Sequence, residues 1–302
     1  MTDHARRLDA HYDALAREGG EPLPARLRAA FRAAGQDPDH LTLDAIAGID
    51  QLHLGGRGAS RALARRGELV PGRRVLDVGC GTGGASRLLA DEFGVEALGV
   101  DITPAFVAVA EWLSRATGLD DRTRFLCADA ARLPLPSASV DVIWCQHALM
   151  NMPDRGAVLA EWRRLLAPGG RLLLHEVVAG DNPAPLALPV PWARSAVTSH
   201  LSSRAALEGA LAEAGFRSLH LEDVTEAALA WRRKHGRREA APREAAPREA
   251  PPEEAIGAAE ANRALPGPTL IFGEDFVTMG RNLLANLADD RVRILEGVWR
   301  LA

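Results

Sequence analysis

A run of glycines and one aspartate, VLDVGCGTGG at residues 75–84, is the first stretch of this sequence that could do chemistry. Asp77 precedes Gly79 and Gly81, and Gly84 opens a segment with helical spacing. Glycines at such a turn let the backbone approach a ligand closely, and the free N–H groups of a following helix attract polar or negatively charged groups. The run therefore predicts a site for a nucleotide-like molecule.

Two ligands of that kind fit the run. The glycines alone satisfy the G-x-G-x-x-G pattern of dinucleotide sites, and with Asp77 they satisfy the D-x-G-x-G-x-G pattern of S-adenosylmethionine (SAM) sites. Asp101, at the end of GVEALGVD, could accept the ribose hydroxyls of either ligand. Asp77 suits the ammonium group of methionine and would repel a pyrophosphate. Asp129 could accept a hydrogen bond from an adenine amino group, or it could cap a helix after it. SAM is favoured over NAD.

The elements that must position these residues alternate along the chain from Val75. Short apolar runs such as RVLDVG, VEALGVD, TRFLCAD, VDVIWCQ and RLLLHEVV are separated by segments with helical spacing. This alternation is typical of a parallel sheet covered by helices on both faces. We expect an α/β fold with a doubly wound, mostly parallel sheet, in which ligands bind at the carboxyl ends of the strands.

Four parts of the chain differ in composition and in the spacing of their apolar residues. Residues 1–70 have helical spacing and predict an N-terminal helical cap, and residues 71–231 form the α/β core, with a proline-rich lid at 181–199. Residues 232–262 carry the repeated A-A-P-R-E sequence, which has little to bury and predicts a disordered or loosely helical insertion. Residues 263–302 predict a helix and an edge strand that complete the core.

Composition excludes several classes of protein. The net charge of −4 over 302 residues gives no positive field to attract nucleic acid. No stretch approaches the roughly 20 apolar residues of a membrane span, and the first residues lack a secretory apolar region, so we expect a cytoplasmic protein. Cys80, Cys127 and Cys145 lack metal-ligand spacing and are expected to be reduced, semi-buried thiols with no metal. Lys234 is the single lysine, which argues against several lysine-dependent chemistries.

Several segments, in this order, resemble the class I SAM-dependent methyltransferases: DVGCGTGGASRLLA, GVD, ADAARLP, VDVIWCQHALMNMPD and RRLLAPGGRLLLHE. The resemblance is greatest to small-molecule enzymes of the ubiquinone/menaquinone C-methyltransferase and sarcosine/dimethylglycine N-methyltransferase type. It implies a seven-stranded sheet with a reversed last strand. It also implies that the SAM site is lined by Asp77, Gly79, Gly81, Asp101, Ile102, Asp129, Ala130 and Gln146.

Residues outside the glycine run are candidates for handling the acceptor. Gln51 and His53 precede Gly55, where close approach is possible, and could reach the methionine carboxylate of SAM or the acceptor. His147 could act as a base or could only shape its loop. Tyr12, the single tyrosine, could orient the acceptor or pack in the cap.

Two further places could contribute to the acceptor site. His175 and Glu176 could supply a base or tie a strand end to the proline-rich loop. Trp192 could be a wall of the acceptor pocket or a hydrophobic plug.

The predicted reaction is methyl transfer from SAM to a small molecule, with an amine nitrogen favoured as acceptor. Carbon or oxygen methylation of a quinol or a specialised metabolite is an alternative. An NAD-dependent oxidoreductase and a SAM-binding regulator without turnover are the alternatives from other classes. The segment NMPD departs from the Asn/Asp-Pro-Pro-aromatic pattern of nucleic-acid amino-methyltransferases, so we expect neither a nucleic-acid nor a membrane partner, and a monomer or homodimer.

Replacing Asp101 tests the predicted ribose contact. Asp101→Ala is expected to weaken SAM binding by about 1.5–3 kcal/mol, the range for hydrogen bonds to a charged group. Calorimetric titration of both proteins with SAM, S-adenosylhomocysteine and NAD measures the loss and discriminates between the two ligand classes. An unchanged affinity for SAM would remove the ribose role from Asp101.

Overall fold

Seven strands and ten helices build the part of the chain that the computed structural model describes, which is residues 6–7, 20–240 and 265–302, the side chains of 237–240 excepted. The strands are β1 Arg74–Val78, β2 Glu96–Asp101, β3 Thr123–Cys127, β4 Val140–Gln146, β5 Leu166–Ala179, β6 Phe216–Asp223 and β7 Val292–Leu301. They form one sheet in the order β3-β2-β1-β4-β5-β7-β6. Strands β1 to β5 pair in parallel, and β7 is antiparallel to both neighbours. The predicted doubly wound sheet with a reversed last strand is confirmed.

Helices connect and cover the strands. They are α1 Leu23–Ala33, α2 Leu43–Asp50, α3 Gly56–Arg66, α4 Gly84–Phe93, α5 Pro104–Ala116, α6 Arg155–Leu165, α7 Arg204–Glu213, α8 Thr225–Ala240, α9 Thr269–Phe272 and α10 Phe276–Ala288. Side chains fix several of their starts: Thr42, Asp154 and Ser203 accept the N–H group of the residue three positions on. The connections therefore have defined ends, which fixes where each strand meets its loop.

The two faces of the sheet hold different cores because successive side chains along a strand point to opposite faces. Leu76 and Val78 of β1 pack in a cluster with the apolar face of α6, whereas Val75 packs with residues of α3 and α4. A third cluster joins α1 and α2 to α5 and α9. The N-terminal cap is thus packed against the core rather than standing apart from it.

Three expectations need correction. β7 was expected at an edge, but it lies between β5 and β6, and β6 is the edge strand. Seven of the ten β7 positions are buried, which suits an interior strand. The insertion expected at 232–262 begins as helix, because α8 continues to Ala240 and its Arg232 packs against α10; residues 241–262 lie outside the described part. Cys127, expected to be semi-buried, is exposed.

A buried arginine joins the cap to the glycine loop. Arg87 of α4 is fully buried and donates to the Thr82 carbonyl at 2.7 Å and the Ala110 carbonyl at 3.2 Å. Its guanidinium lies 3.6 Å from the carboxylate of Asp50, the last residue of α2. The Thr82 hydroxyl donates to the Ile49 carbonyl at 2.8 Å. The cap, the glycine loop and α5 therefore meet at one buried group of polar contacts around Arg87.

Removing the buried cation is expected to be costly. Arg87→Met should lower the free energy of unfolding by about 3–5 kcal/mol, since it leaves a buried carboxyl group without its partner. Urea denaturation of both proteins measures the difference. Arg61→Met is the matched control: Arg61 pairs with Glu92 at a partly exposed position, where a loss of at most about 1 kcal/mol is expected. Equal losses in the two variants would contradict a structural role for the buried pair.

Candidate functional site

A cavity of about 1070 Å³ lies at the carboxyl ends of the central parallel strands. It is roofed by the segment between α2 and α3, the proline-rich segment, and helices α8 and α10. Most of the sequence-predicted site residues within the described part of the chain line it, whereas His175 and Glu176 do not; the lining ones include Gln51, His53, Gly55, Asp77, Gly79, Gly81, Asp101, Ile102, Asp129, Ala130, Gln146 and His147. Tyr12 lies outside the described residues. The fold thus brings residues from distant segments into one space.

The glycine loop after β1 forms one wall. Gly79 has φ +72°, and a Cβ there would overlap the side chain of Ala148, so the close approach requires glycine. Gly81 has φ +53°, and a Cβ there would meet only open space. The Asp101 carboxylate accepts the N–H groups of Gly81 and Thr103, each at 2.9 Å. Asp101 therefore fixes the loop while facing the same cavity.

Acidic groups surround the loop. Asp77 is 2% exposed, accepts the Ser86 hydroxyl at 2.6 Å, and has its pKa raised by burial to about 6. Burial also raises the pKa of Asp101. Asp129 accepts the N–H of Ala131 at 3.0 Å in a turn, and the alternative that it caps a helix is wrong, because no helix follows it directly.

Unpartnered polar atoms mark the roof of the cavity. Both amide atoms of Gln51, the Nε2 atom of Gln146 and the Oδ1 atom of Asp50 are buried without a hydrogen-bond partner in the described part. Most buried polar groups in folded proteins are hydrogen-bonded. These atoms are therefore placed to be satisfied by a polar ligand.

Three histidines meet beside the glycine loop. The ring centroids of His53 lie 6.1 Å from those of His147 and His175, and the last two are 5.1 Å apart. Nε2 of His147 lies 3.1 Å from Nδ1 of His175. Burial lowers the pKa of His53 to about 4, that of His175 to about 3, and that of His147 well below its usual range. All three rings are neutral at pH 7.

The positions of the rings do not suit a metal ion. Within the ranges that the structure describes, no group of three His, Cys, Asp or Glu side chains has metal-ligand geometry. His53 is engaged at both nitrogens, with Nδ1 3.1 Å from the Leu54 carbonyl and Nε2 3.2 Å from the Ser60 hydroxyl. His147 has one ring nitrogen, Nε2, within hydrogen-bond distance of His175.

The end of β5 holds the His147 loop in place. His147 has φ +52°, and its N–H donates to the His175 carbonyl at 2.9 Å. The Glu176 carboxylate accepts the N–H groups of Ala148 at 3.2 Å and Leu149 at 2.7 Å. Glu176 thus ties its strand to the loop after β4, and the expected tie to the proline-rich loop is wrong.

The other end of the cavity is apolar. Met150, Trp192, Phe272, Phe276 and Leu283 line it and are each nearly buried. The wall also includes Trp231, stacked on His235 with ring centroids 3.9 Å apart. Sequence reasoning found Trp192 but missed the residues of α8, α9 and α10.

Asn151 holds the proline-rich segment over this end. Its side-chain amide donates to the carbonyls of Trp192 at 2.9 Å and Thr198 at 2.7 Å. The loop after β4 therefore carries both the candidate base, His147, and the anchor of the segment that covers the apolar end.

Comparison with known proteins identifies the core. Residues 76–174, which include the glycine loop, Asp101 and the His147 loop, match the family described as a methyltransferase domain. The family assignment applies to residues 76–174. The resemblance to class I SAM-dependent methyltransferases is thereby confirmed, and the dinucleotide interpretation of the glycine run is disfavoured.

Relatives and solved structures agree with this assignment. The chain is 35% identical over 185 residues to Methyltransferase GfsG of Streptomyces halstedii, covering 59% of this chain and 65% of that one. It is 35% identical over 160 residues to the 27-O-demethylrifamycin SV methyltransferase of Amycolatopsis mediterranei, covering 52% and 59%. The alignments thus span less than two thirds of either relative.

The fold is shared with geranyl diphosphate C-methyltransferase from Streptomyces coelicolor A3(2). The TM-score is 0.67 at 15% identity, over 100% of this chain and 98% of that one. At this identity the likeness concerns the fold alone. In the described residues no helix has the length and apolar character to cross a membrane.

Glu176 gives the site a pH signature. Burial raises its pKa to about 7, so between the unfolded value of 4.5 and about 7 the folded protein holds a proton that the unfolded chain has lost. The stabilisation is complete below pH 4.5 and is lost as the pH rises through 7. Glu176→Gln mimics the protonated carboxyl group, so from pH 5 to 8 the variant should gain up to roughly 3 kcal/mol relative to the native protein.

Urea denaturation of both proteins at several pH values measures this difference. Glu161→Gln is the control: a hydrogen bond from Arg164 lowers the pKa of Glu161, so its contribution is constant from pH 5 to 8. A flat difference for Glu176→Gln would show that its carboxylate is not penalised by burial.

Proposed function

We propose that this protein binds SAM in the cavity and transfers the methyl group to a hydroxyl oxygen of a bulky, largely apolar small molecule. The observation that carries the proposal is the position of neutral His147. It precedes Ala148, which packs on Gly79 of the glycine loop, and lies three residues before Met150 in the apolar wall. His147 thus lies where a cofactor on the glycine loop would meet an acceptor in the apolar end.

The polar half of the cavity fits SAM. Gly81 leaves open space beside the Asp101 carboxylate, which can accept the ribose hydroxyls. The unpartnered amide nitrogens of Gln51 and Gln146 suit the methionine carboxylate, and Asp77 suits the ammonium group. Ile102, Asp129 and Ala130 line the wall beyond Asp101, where an adenine would lie. SAM, when bound, supplies an electrophilic methyl group on a sulfonium.

A hydroxyl acceptor makes use of the unprotonated state of His147. As the bond between oxygen and the methyl carbon forms and the bond between carbon and sulfur breaks, the hydroxyl proton must go to a base. His147 is unprotonated at pH 7 and can accept it. An amine, the acceptor favoured from the sequence, attacks as its neutral form and would leave the buried histidine pair without a role.

The size and lining of the apolar end support a bulky acceptor. Two indole rings, Trp192 and Trp231, and the two phenyl rings of α9 and α10 line it. The relative from Amycolatopsis mediterranei is by its name a methyltransferase of 27-O-demethylrifamycin SV. Other relatives and structural neighbours are by name N- or C-methyltransferases. The residues of the site, rather than the names of the relatives, therefore support the choice of acceptor atom.

Replacing the proposed base tests the function. His147→Phe is expected to lower kcat on a hydroxylated acceptor by about 10²–10⁴-fold, the usual contribution of a general base, while S-adenosylhomocysteine binding changes little. The assay follows methyl transfer from labelled SAM to a panel of hydroxylated polyketides, phenols and small amines. His40→Phe at an exposed position is the control variant.

The outcomes separate the candidate functions. Full activity of His147→Phe on a hydroxyl acceptor would contradict the proposed base. Turnover with amines alone would favour a nitrogen acceptor. SAM binding without turnover on any acceptor would favour a SAM-binding regulator.

A further inference from the structure

One buried ionisable side chain next to the site has no part in the mechanism so far. His175, at the end of β5, is 3% exposed and lies behind His147 rather than on the cavity wall. We propose that His175 is a positioning residue that accepts a hydrogen bond from Nε2–H of His147 and so leaves Nδ1 of His147 able to take the acceptor's proton. The inference rests on the proposed function and deepens it.

The geometry is that of a hydrogen bond between two rings. Nε2 of His147 and Nδ1 of His175 are 3.1 Å apart, and the rings are within 9° of parallel with their centroids 5.1 Å apart. That centroid separation, with the two nitrogens so close, places the rings edge to edge, so one N–H group points at the lone pair of the other nitrogen. Two neutral imidazoles share one proton across this contact.

Which ring donates decides what His147 can do. If His147 donates from Nε2, its Nδ1 carries a lone pair and can accept a proton. If His175 donates from Nδ1, then Nδ1 of His147 carries the hydrogen and His147 cannot act as a base. Only the first arrangement supports the proposed reaction.

The charged state after proton transfer allows the first arrangement alone. Protonated His147 has hydrogens on both nitrogens, so its Nε2–H must donate to an unprotonated Nδ1 of His175. A hydrogen bond to a charged donor is stronger than one between neutral groups, so His175 stabilises the product of proton transfer more than the starting state. This difference is what accelerates the chemical step.

Among the described residues, the carboxylate next to His175 in the chain does not take this role. Glu176 is the carboxylate adjacent in sequence, and its oxygens accept N–H groups of Ala148, Leu149 and Val177. It fixes the backbone of the loop while His175 orients the ring. His147 therefore donates its hydrogen bond to a neutral acceptor, His175, which suits a base that must be uncharged before the reaction.

Two variants of His175 and two readouts test the proposal. His175→Phe keeps a flat ring of similar size and removes the acceptor, and His175→Asn places an amide near the position of Nδ1. His175→Phe is expected to lower kcat by about 10- to 100-fold, the range of a hydrogen bond to a charged group, with KM and S-adenosylhomocysteine affinity within about twofold of the native protein. His175→Asn should recover much of the lost kcat.

The second readout needs no acceptor. Two-bond hydrogen–nitrogen correlation spectra of protein labelled with ¹⁵N-histidine report which ring nitrogen carries the proton, with His147 assigned by its absence in His147→Phe. We expect Nε2–H in the native protein and a changed or mixed state in His175→Phe. An Nδ1–H state in the native protein, or the same His147 signal in both proteins, would overturn the proposal.

The two levels of inference fail separately. If His147→Phe retains full turnover while the spectra of the native protein show the hydrogen bond from His147 to His175, the proposed base is wrong and the hydrogen bond is only structural. If His147→Phe is inactive and His175→Phe has native kcat, the base stands and the positioning role is overturned.

Discussion

The contact between Arg87 and Asp50 is the constraint on which the rest of the site depends. A guanidinium and a carboxylate without water are costly to bury, and they are tolerated here because the arginine also donates to two backbone carbonyls. Those donations hold Arg87 between the glycine loop and α5, and the ion pair with Asp50, together with the Thr82 hydroxyl that donates to the Ile49 carbonyl, joins the cap to the loop. Gly84 completes the fit, since any Cβ there would overlap the Asp50 carbonyl. Gln51 and His53 follow Asp50 directly, so their positions over the cavity derive from this contact.

A second constraint acts from the opposite side. β4 ends at Gln146, which pairs with His175 of β5, and His175 and Glu176 hold the loop after β4 through one backbone carbonyl and one carboxylate. The unusual backbone of His147 is maintained by these contacts. Cap and loop thus approach the same space from two independently fixed directions, which is how a precise arrangement of neutral rings can exist in a cavity that is large and mostly apolar.

Much of this could be predicted from local sequence. The positions of Asp77, Asp101 and Gln146 near strand ends follow from the alternation of apolar runs with helical segments. Their proximity follows because the carboxyl ends of parallel strands share one edge of the sheet. The partners of those residues could not be predicted, since pairing such as Arg87 with Asp50 or His147 with His175 depends on segments far apart in the chain. The residues of α8 to α10 on the apolar wall carry no motif, and their place follows only from the packing of the C-terminal helices. The interior position of β7 could not be predicted either, because an apolar strand has the same sequence pattern in the middle of a sheet as at its edge.

That interior position also sets an order on the assembly of the protein. In the described sheet β6 pairs with β7 alone, and β7 is made some 70 residues after β6. During synthesis on the ribosome, strands β1 to β5 can associate as each emerges, whereas β6 has no strand to join until residues 292–301 are available. Two helices that line the apolar end of the cavity, α9 and α10, emerge in the same interval. The sheet and the acceptor side of the cavity are therefore completed in one late step.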